Sequence, residues 1–154
     1  EGTFAGDNLS TAIASNTGGT GMVVDGGLRD CQRVIDLPGI NTFVKGLHPT
    51  GIRSVTLTEI NGPVRIGAAT ALPGDVVLGT PTGVIFIPPH LAETVVERSE
   101  AVRLRDYFGQ LRIREGVYTP GEVDRKWSDE MEADFEKWGE THGLEVLDDS
   151  DSSQ

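Results

Sequence analysis

From residue 8 to residue 47 the chain alternates helix-forming and strand-forming runs, and most are closed by glycine or proline. "NLSTAIASN" puts Leu9, Ile13 and Ala12 toward one side of a short helix whose N-terminus falls at Asp7–Asn8. The glycines of "TGGTG" end that helix, and "MVVD" has the short apolar character of a buried strand. Asp25-Gly26-Gly27 then reads as a turn, "DCQRVIDLPG" as a second short helix stopped by Pro38-Gly39, and "NTFVKG" as a second strand. An order of this kind excludes an all-helical or all-β chain and indicates a mixed α/β domain.

Beyond Ser54 the pattern is strand and turn: "SVTLTEI", the turn "NGP", "VRIG", "PGDVVLG" and "GVIFIP". Asn61-Gly62 between alternating runs predicts a hairpin. After Pro88-Pro89 a long charged helix follows, with Leu91, Val95, Val102, Leu104, Phe108 and Leu111 supplying its apolar side. "YTPGEVD" breaks it, and a last helix starts at a Ser128 cap, carries Asp129, Glu130 and Glu132 in its first turns, and packs Phe135 and Trp138 inward. With 154 residues the chain is the size of one domain with a real core, and 20 glycines and 8 prolines suit many short elements.

A net charge of −11 argues against a nucleic-acid partner and against an anionic membrane surface, both of which require clustered Lys and Arg. Much of the acidity lies near the C-terminus, which ends in "LDDSDSSQ", a solvated tail by composition. Cys31 has no cysteine partner, so a reducing, cytoplasmic setting is the simplest expectation. No apolar stretch approaches the roughly 20 residues that span a bilayer. "EGTFAGDNL" opens without Met and enters structured-looking sequence within a few residues, which leads us to expect an N-terminal portion of the fold outside this chain.

Two motifs have the residue types for acid chemistry. A helix opening after Gly6-Asp7 presents backbone N–H groups that suit a carboxylate or phosphate, although Asp7 could equally serve only as that helix's cap. In "MVVDGGLRDC", Arg29 offers a planar fork matching a carboxylate, and Asp30 can hold a hard cation. A surface ion pair, or Asp30 capping the next helix, is the plainer alternative. Gly74 to Pro89 reads as turn and core chemistry, and His48, His90 and His142 are scattered without triad or ligand spacing.

Taken together, "GDNL…TGMVVDGGLRD", "TFVKGLHPTG" and "VRIGAATALPGDVVLGTPTGVIFIPP" resemble the RraA-like family, which includes the class II 4-hydroxy-4-methyl-2-oxoglutarate aldolases. The resemblance implies a swivelling β/β/α domain with C-terminal helices, assembled as trimers or hexamers. It makes residues 1–115 the C-terminal portion of the RraA-like core, 116–146 a helical extension and 147–154 an acidic tail. Carried onto this chain, it makes Asp30 the ligand of Mg²⁺ or Mn²⁺ and Arg29 the clamp on the substrate carboxylate. Asp7 would act through a metal-bound water, and the N–H groups of Asn8 and Leu9 would cradle the 2-oxo acid. An acidic group from a neighbouring subunit would be Glu115 or Glu122. Thr82 stands where many relatives carry an acidic residue.

The implied activity is that of a metal-dependent lyase on a 2-oxo acid, releasing pyruvate by retro-aldol cleavage or decarboxylating oxaloacetate through a metal-stabilised enolate. Two alternatives stay open: a non-catalytic regulator of the kind that binds and inhibits an RNA-degrading enzyme, and a lyase or dehydratase on sugar acids. The expected partners are a small 2-oxo acid, further copies of the chain, and an N-terminal fragment of the same protein.

Overall fold

The structure, a computed structural model, describes residues 2–18 and 21–144, and the tail expected at 147–154 lies outside them. Its architecture is mixed α/β followed by helices. The chain divides into a β-rich unit, Glu1–His90, and a helical unit, Leu91–Gln154.

The β-rich unit begins with β1 (Thr3–Ala5), α1 (Asp7–Asn16), β2 (Gly21–Leu28), α2 (Cys31–Ile35) and β3 (Asn41–Leu47). The three strands form one sheet in the order β1-β2-β3, all parallel. Parallel neighbours cannot be joined by a tight turn, so each helix serves as the crossover its flanking strands need. Ala5, Leu28 and Val34 form the buried core of this layer, with Met22, Cys31 and Val44 packed around them.

Asp25-Gly26-Gly27 is strand here and not the expected turn. β2 runs on to Leu28, with its register to β3 shifting between Val24 and Gly27. Gly27 faces Thr3 on one side and Gly46 on the other, and a Cβ there would come within 2.9 Å of Thr3 Cγ2. The glycines therefore permit close approach of a central strand to its neighbours, a strand use of glycine that sequence shares with turns.

Two antiparallel hairpins complete the unit: β4 (Val64–Ile66) with β5 (Ala69–Ala71), and β6 (Val76–Thr80) with β7 (Gly83–Ile87). The first hairpin turns at Gly67-Ala68, with Gly67 at φ 57°, and not at Asn61-Gly62. Asn61 does adopt positive φ, at 58°, but "SVTLTEI" before it forms no strand. Alternation creates a strand only where an edge is available to pair with it, and the side chains of Val55, Leu57 and Ile60 remain exposed. Asp75 ties the turn before β6 by accepting from the Leu72 N–H at 2.8 Å, the turn role expected of it.

In the helical unit, α3 (Ala92–Arg114), α4 (Pro120–Val123) and α5 (Asp129–Thr141) surround a core of Phe108, Trp127, Met131, Phe135 and Trp138. Ser128 caps α5 as expected, its Oγ accepting from the Met131 N–H at 3.3 Å. Leu104, Phe108 and Leu111 of α3 join this core, whereas Leu91, Val95 and Val102 are exposed. The apolar side predicted for the whole helix is thus packed only along its second half. Arg105 makes a two-point pair with Glu132 (2.8 and 2.6 Å) and stacks 3.9 Å over Trp127, and Arg112 grips Asp134 through two bonds of 2.8 and 2.7 Å.

Candidate functional site

The parallel sheet carries its polar residues where its strands end. β1 leads into Gly6-Asp7, β2 into Arg29-Asp30 and β3 into His48-Pro49. Parallel strands expose their carboxyl ends along one edge, the usual place for ligands in open α/β sheets.

Gly6 holds this edge together. A Cβ at that position would lie 2.7 Å from Asp30 Oδ2, 2.8 Å from Arg29 Nε and 2.9 Å from Arg29 Cγ. Only glycine lets the Arg-Asp pair close on the start of α1. Gly6 is also the N-cap, and it caps with backbone alone: its carbonyl accepts from the Ser10 N–H at 3.0 Å and from the Ser10 hydroxyl at 2.8 Å.

Asp7 is therefore the first residue of α1 and not its cap. Its Oδ1 accepts from the Asn8 N–H at 2.8 Å and its Oδ2 from Arg33 Nη1 at 2.9 Å. These two bonds, Arg33 first, hold the Asp7 carboxyl below its ordinary value, and the charge of Arg29 acts in the same direction. The Asn8 N–H is thereby engaged by Asp7, while Leu9 follows in the first turn, where N–H groups have no carbonyl behind them.

Arg29 is two-thirds covered. Its Nη1 donates to the Thr3 carbonyl at 3.3 Å and to Thr3 Oγ1 at 3.2 Å, which fixes the guanidinium plane against β1. Asp30 sits 3.5 Å from Arg29 Nε, is 42% exposed, and adopts left-handed backbone at φ 56°. It occupies the N-cap position of α2, yet its side chain makes no capping bond. Of the plainer alternatives, the ion pair is present but long, and Asp30 takes the N-cap position without a capping bond.

A depression of about 300 Å³ is lined by Arg29, Asp30, Cys31, Leu47, His48 and Pro49. A larger cleft of about 490 Å³, lined by Met22, Phe43, Ile66 and Phe86 among others, contains no ionisable side chain and cannot select an acid by charge. Glu115 and Glu122 belong to the helical unit. Glu115 accepts from Arg112 at 2.7 Å, and Glu122 closes a capping box with Thr119, accepting from its N–H at 2.8 Å and its hydroxyl at 2.6 Å.

The sequence reading set His48 aside as a scattered histidine and did not single out Arg33, yet the structure brings both to this edge. Arg33 meets Asp7 across 26 positions of chain, which no local motif discloses. His48 had a usable signal: it follows a strand directly, as Arg29 does, and parallel pairing brings the two exits together.

A sequence model of the RraA-like family, described as Aldolase/RraA, matches residues 1–86. A protein of Halalkalibacterium halodurans with the provisional name 4-hydroxy-4-methyl-2-oxoglutarate aldolase is 28% identical over 116 residues, covering 74% of this chain and 53% of that protein. An uncharacterized protein of Methanocaldococcus jannaschii is 27% identical, covering 70% of this chain and 51% of its own length. The chain thus spans about half the length of the curated relatives it matches. Among solved structures, an uncharacterized protein from Pseudomonas syringae pv. tomato superimposes with a TM-score of 0.71 at 27% identity, over 80% of this chain and 57% of that one. Streptomyces coelicolor RraAS2, described as an unusual member of the RNase ES inhibitor RraA protein family, gives 0.64 at 29% identity, over 72% and 56%. Among the described residues no helix is long and apolar enough to cross a membrane.

Proposed function

Since this chain belongs to the RraA-like family, we propose that it is a divalent-metal-dependent lyase on a 2-oxo acid, releasing pyruvate by retro-aldol cleavage, decarboxylating oxaloacetate, or both. One observation carries this reading: the absence of a side chain at Gly6 lets Arg29 and Asp30 close on the start of α1 beside Asp7. A guanidinium and a carboxylate that makes no helix-capping bond then share one small depression.

The donor set suits Mg²⁺ or Mn²⁺. Among the described residues no three His, Cys, Asp or Glu side chains gather to enclose an ion. Magnesium is typically bound through one or two carboxylates and keeps several waters, and manganese shares its preference for oxygen ligands. Asp30 would hold the ion directly and Asp7 through water. When bound, the ion supplies Lewis-acid polarisation of the 2-oxo group and stabilises the charge that develops as the C–C bond breaks.

The chain's own residues do the rest. Arg29, anchored through Nη1 on Thr3, presents the remainder of its fork to the substrate's C1 carboxylate. In the retro-aldol direction the C3–C4 bond breaks and its electron pair passes to C3. The 4-hydroxyl loses its proton as C4 becomes a carbonyl, and C3 gains a proton to give pyruvate. Asp7 is kept ionised by Arg33 and Asn8, which makes it better suited to orient the water that carries this proton than to store it. In oxaloacetate the same C3–C4 bond breaks with loss of CO₂, leaving the same pair on C3. A trimer or hexamer of the chain would bring Glu115 or Glu122 of a neighbouring copy to this edge, and light scattering would report that assembly.

The expected result for Asp30→Ala is loss, to background, of Mg²⁺- or Mn²⁺-dependent pyruvate release from a 4-hydroxy-2-oxo acid or oxaloacetate. Unchanged turnover in that variant would sink the mechanism. The likeness to RraAS2 supports a second reading, regulation by binding an RNA-degrading enzyme. A wild-type chain that turns over none of a panel of 2-oxo acids would favour it.

A further inference from the structure

The third strand exit of the parallel sheet has no part in the reading above. Leu47 pairs with Leu28, and the His48 N–H then donates to the Leu28 carbonyl at 3.1 Å, carrying the β2/β3 ladder one residue further. His48 is thereby fixed by backbone at the level of Arg29 and Asp30, and it lines the same depression. Its ring is fixed as well. The Thr50 N–H donates to His48 Nδ1 at 3.1 Å, an arrangement that leaves Nε2 as the ring's donor. Pro49 follows directly and restricts the backbone at this point.

We propose that His48 recognises the distal half of the substrate, its Nε2–H donating to a second carboxylate while Arg29 holds the first. This rests on the assignment of the edge as a 2-oxo-acid site and adds to it a residue that reads the substrate's far end. The flanking Leu47 and Pro49 offer apolar contact to the carbons between the two acid groups. A depression of about 300 Å³ is at the small end of ligand sites and suits a short-chain acid.

The test compares 2-oxoglutarate with 2-oxopentanoate, ligands of equal chain length that differ in the terminal carboxylate. Both are titrated calorimetrically into the full chain with Mg²⁺ present. Hydrogen bonds to charged groups contribute about 1.5–3 kcal/mol, so His48→Ala should weaken 2-oxoglutarate roughly ten- to hundredfold and leave 2-oxopentanoate unmoved. His48→Gln, which retains an N–H donor, should recover part of the loss. Equal changes for both ligands, or no change for either, overturn the proposal in a chain whose wild type binds them. A wild type that binds neither ligand overturns the 2-oxo-acid reading itself, and the inference with it.

Discussion

In the helical unit Phe108 is fully buried against Trp127, Phe135 and Trp138 at ring separations of 5.6, 5.2 and 5.6 Å, whereas in the β-rich unit Leu57 and Ile60 stand 71% and 80% exposed. Large side chains close the helical core on several sides. Small ones dominate the sheet core, where Ala5, Leu28 and Val34 are buried and Leu47, Val55 and Ile35 are not. Buried apolar area stabilises by about 25 cal/mol per Å², so the helices draw far more from their own residues than the sheet does. The proposed site lies in the less buried unit. Its charged residues are positioned by backbone approach, through Gly6, Gly27 and the Thr3 carbonyl, more than by side-chain packing.

The largest expected effect falls on the helical side. Phe108→Ala removes the ring at the centre of the aromatic group and should cost about 3–5 kcal/mol. Both tryptophans, Trp127 and Trp138, belong to this unit, so their emission reports its unfolding alone. The denaturant midpoint by tryptophan emission should fall sharply, while hydrogen exchange at Val23 and Val44 of the sheet is unchanged. Equal shifts in both probes would show a single cooperative body and erase the contrast.

Gly6→Ala tests the other side and should act more gently. The added Cβ meets Asp30 Oδ2 and Arg29 Nε, and relieving that contact should cost about 1–3 kcal/mol in the sheet. Pyruvate release should fall with it, and the tryptophan midpoint should stay where it is. Retained activity would mean that the Arg-Asp pair does not need its close approach to α1.

Legibility followed the same division. The α5 helix was readable because its cap and its inward aromatics are local signals, and β3, β6 and β7 because their apolar runs coincide with real pairing partners. The Asp25-Gly26-Gly27 segment misled because glycine serves tight turns and close strand approach alike. "SVTLTEI" misled because alternation states a capacity for pairing, and pairing also needs an edge. At the candidate site the resemblance singled out Gly-Asp and Arg-Asp, and the structure puts both at strand ends with Gly6 against Arg29 and Asp30. The Arg33 partner of Asp7 and the position of His48 depend on strand register, which the sequence does not display.

The smallest effect concerns Asp7. Its carboxyl titrates below its ordinary value of 3.8 when folded, so whatever stability it contributes is present above pH 3.8 and is lost as pH falls through the lower folded value. In Arg33→Ala the Asp7 carboxyl should titrate closer to 3.8, as followed by carboxyl-carbon NMR. Because the Arg33 side chain is largely exposed, the melting temperature near neutral pH should barely change. A titration identical to wild type would assign the lowered value to the Asn8 N–H and the charge of Arg29.

Asp30 combines two demands that would filter a library of variants differently. Its left-handed backbone, at φ 56°, admits glycine and asparagine readily and β-branched residues badly, whatever the reaction requires. Selection for folding alone should therefore recover Gly and Asn at position 30. Selection for turnover should retain Asp, because Glu keeps the charge at a backbone cost and Asn keeps the backbone without the charge. The gap between those two tolerance profiles would separate what the backbone demands at position 30 from what the reaction demands.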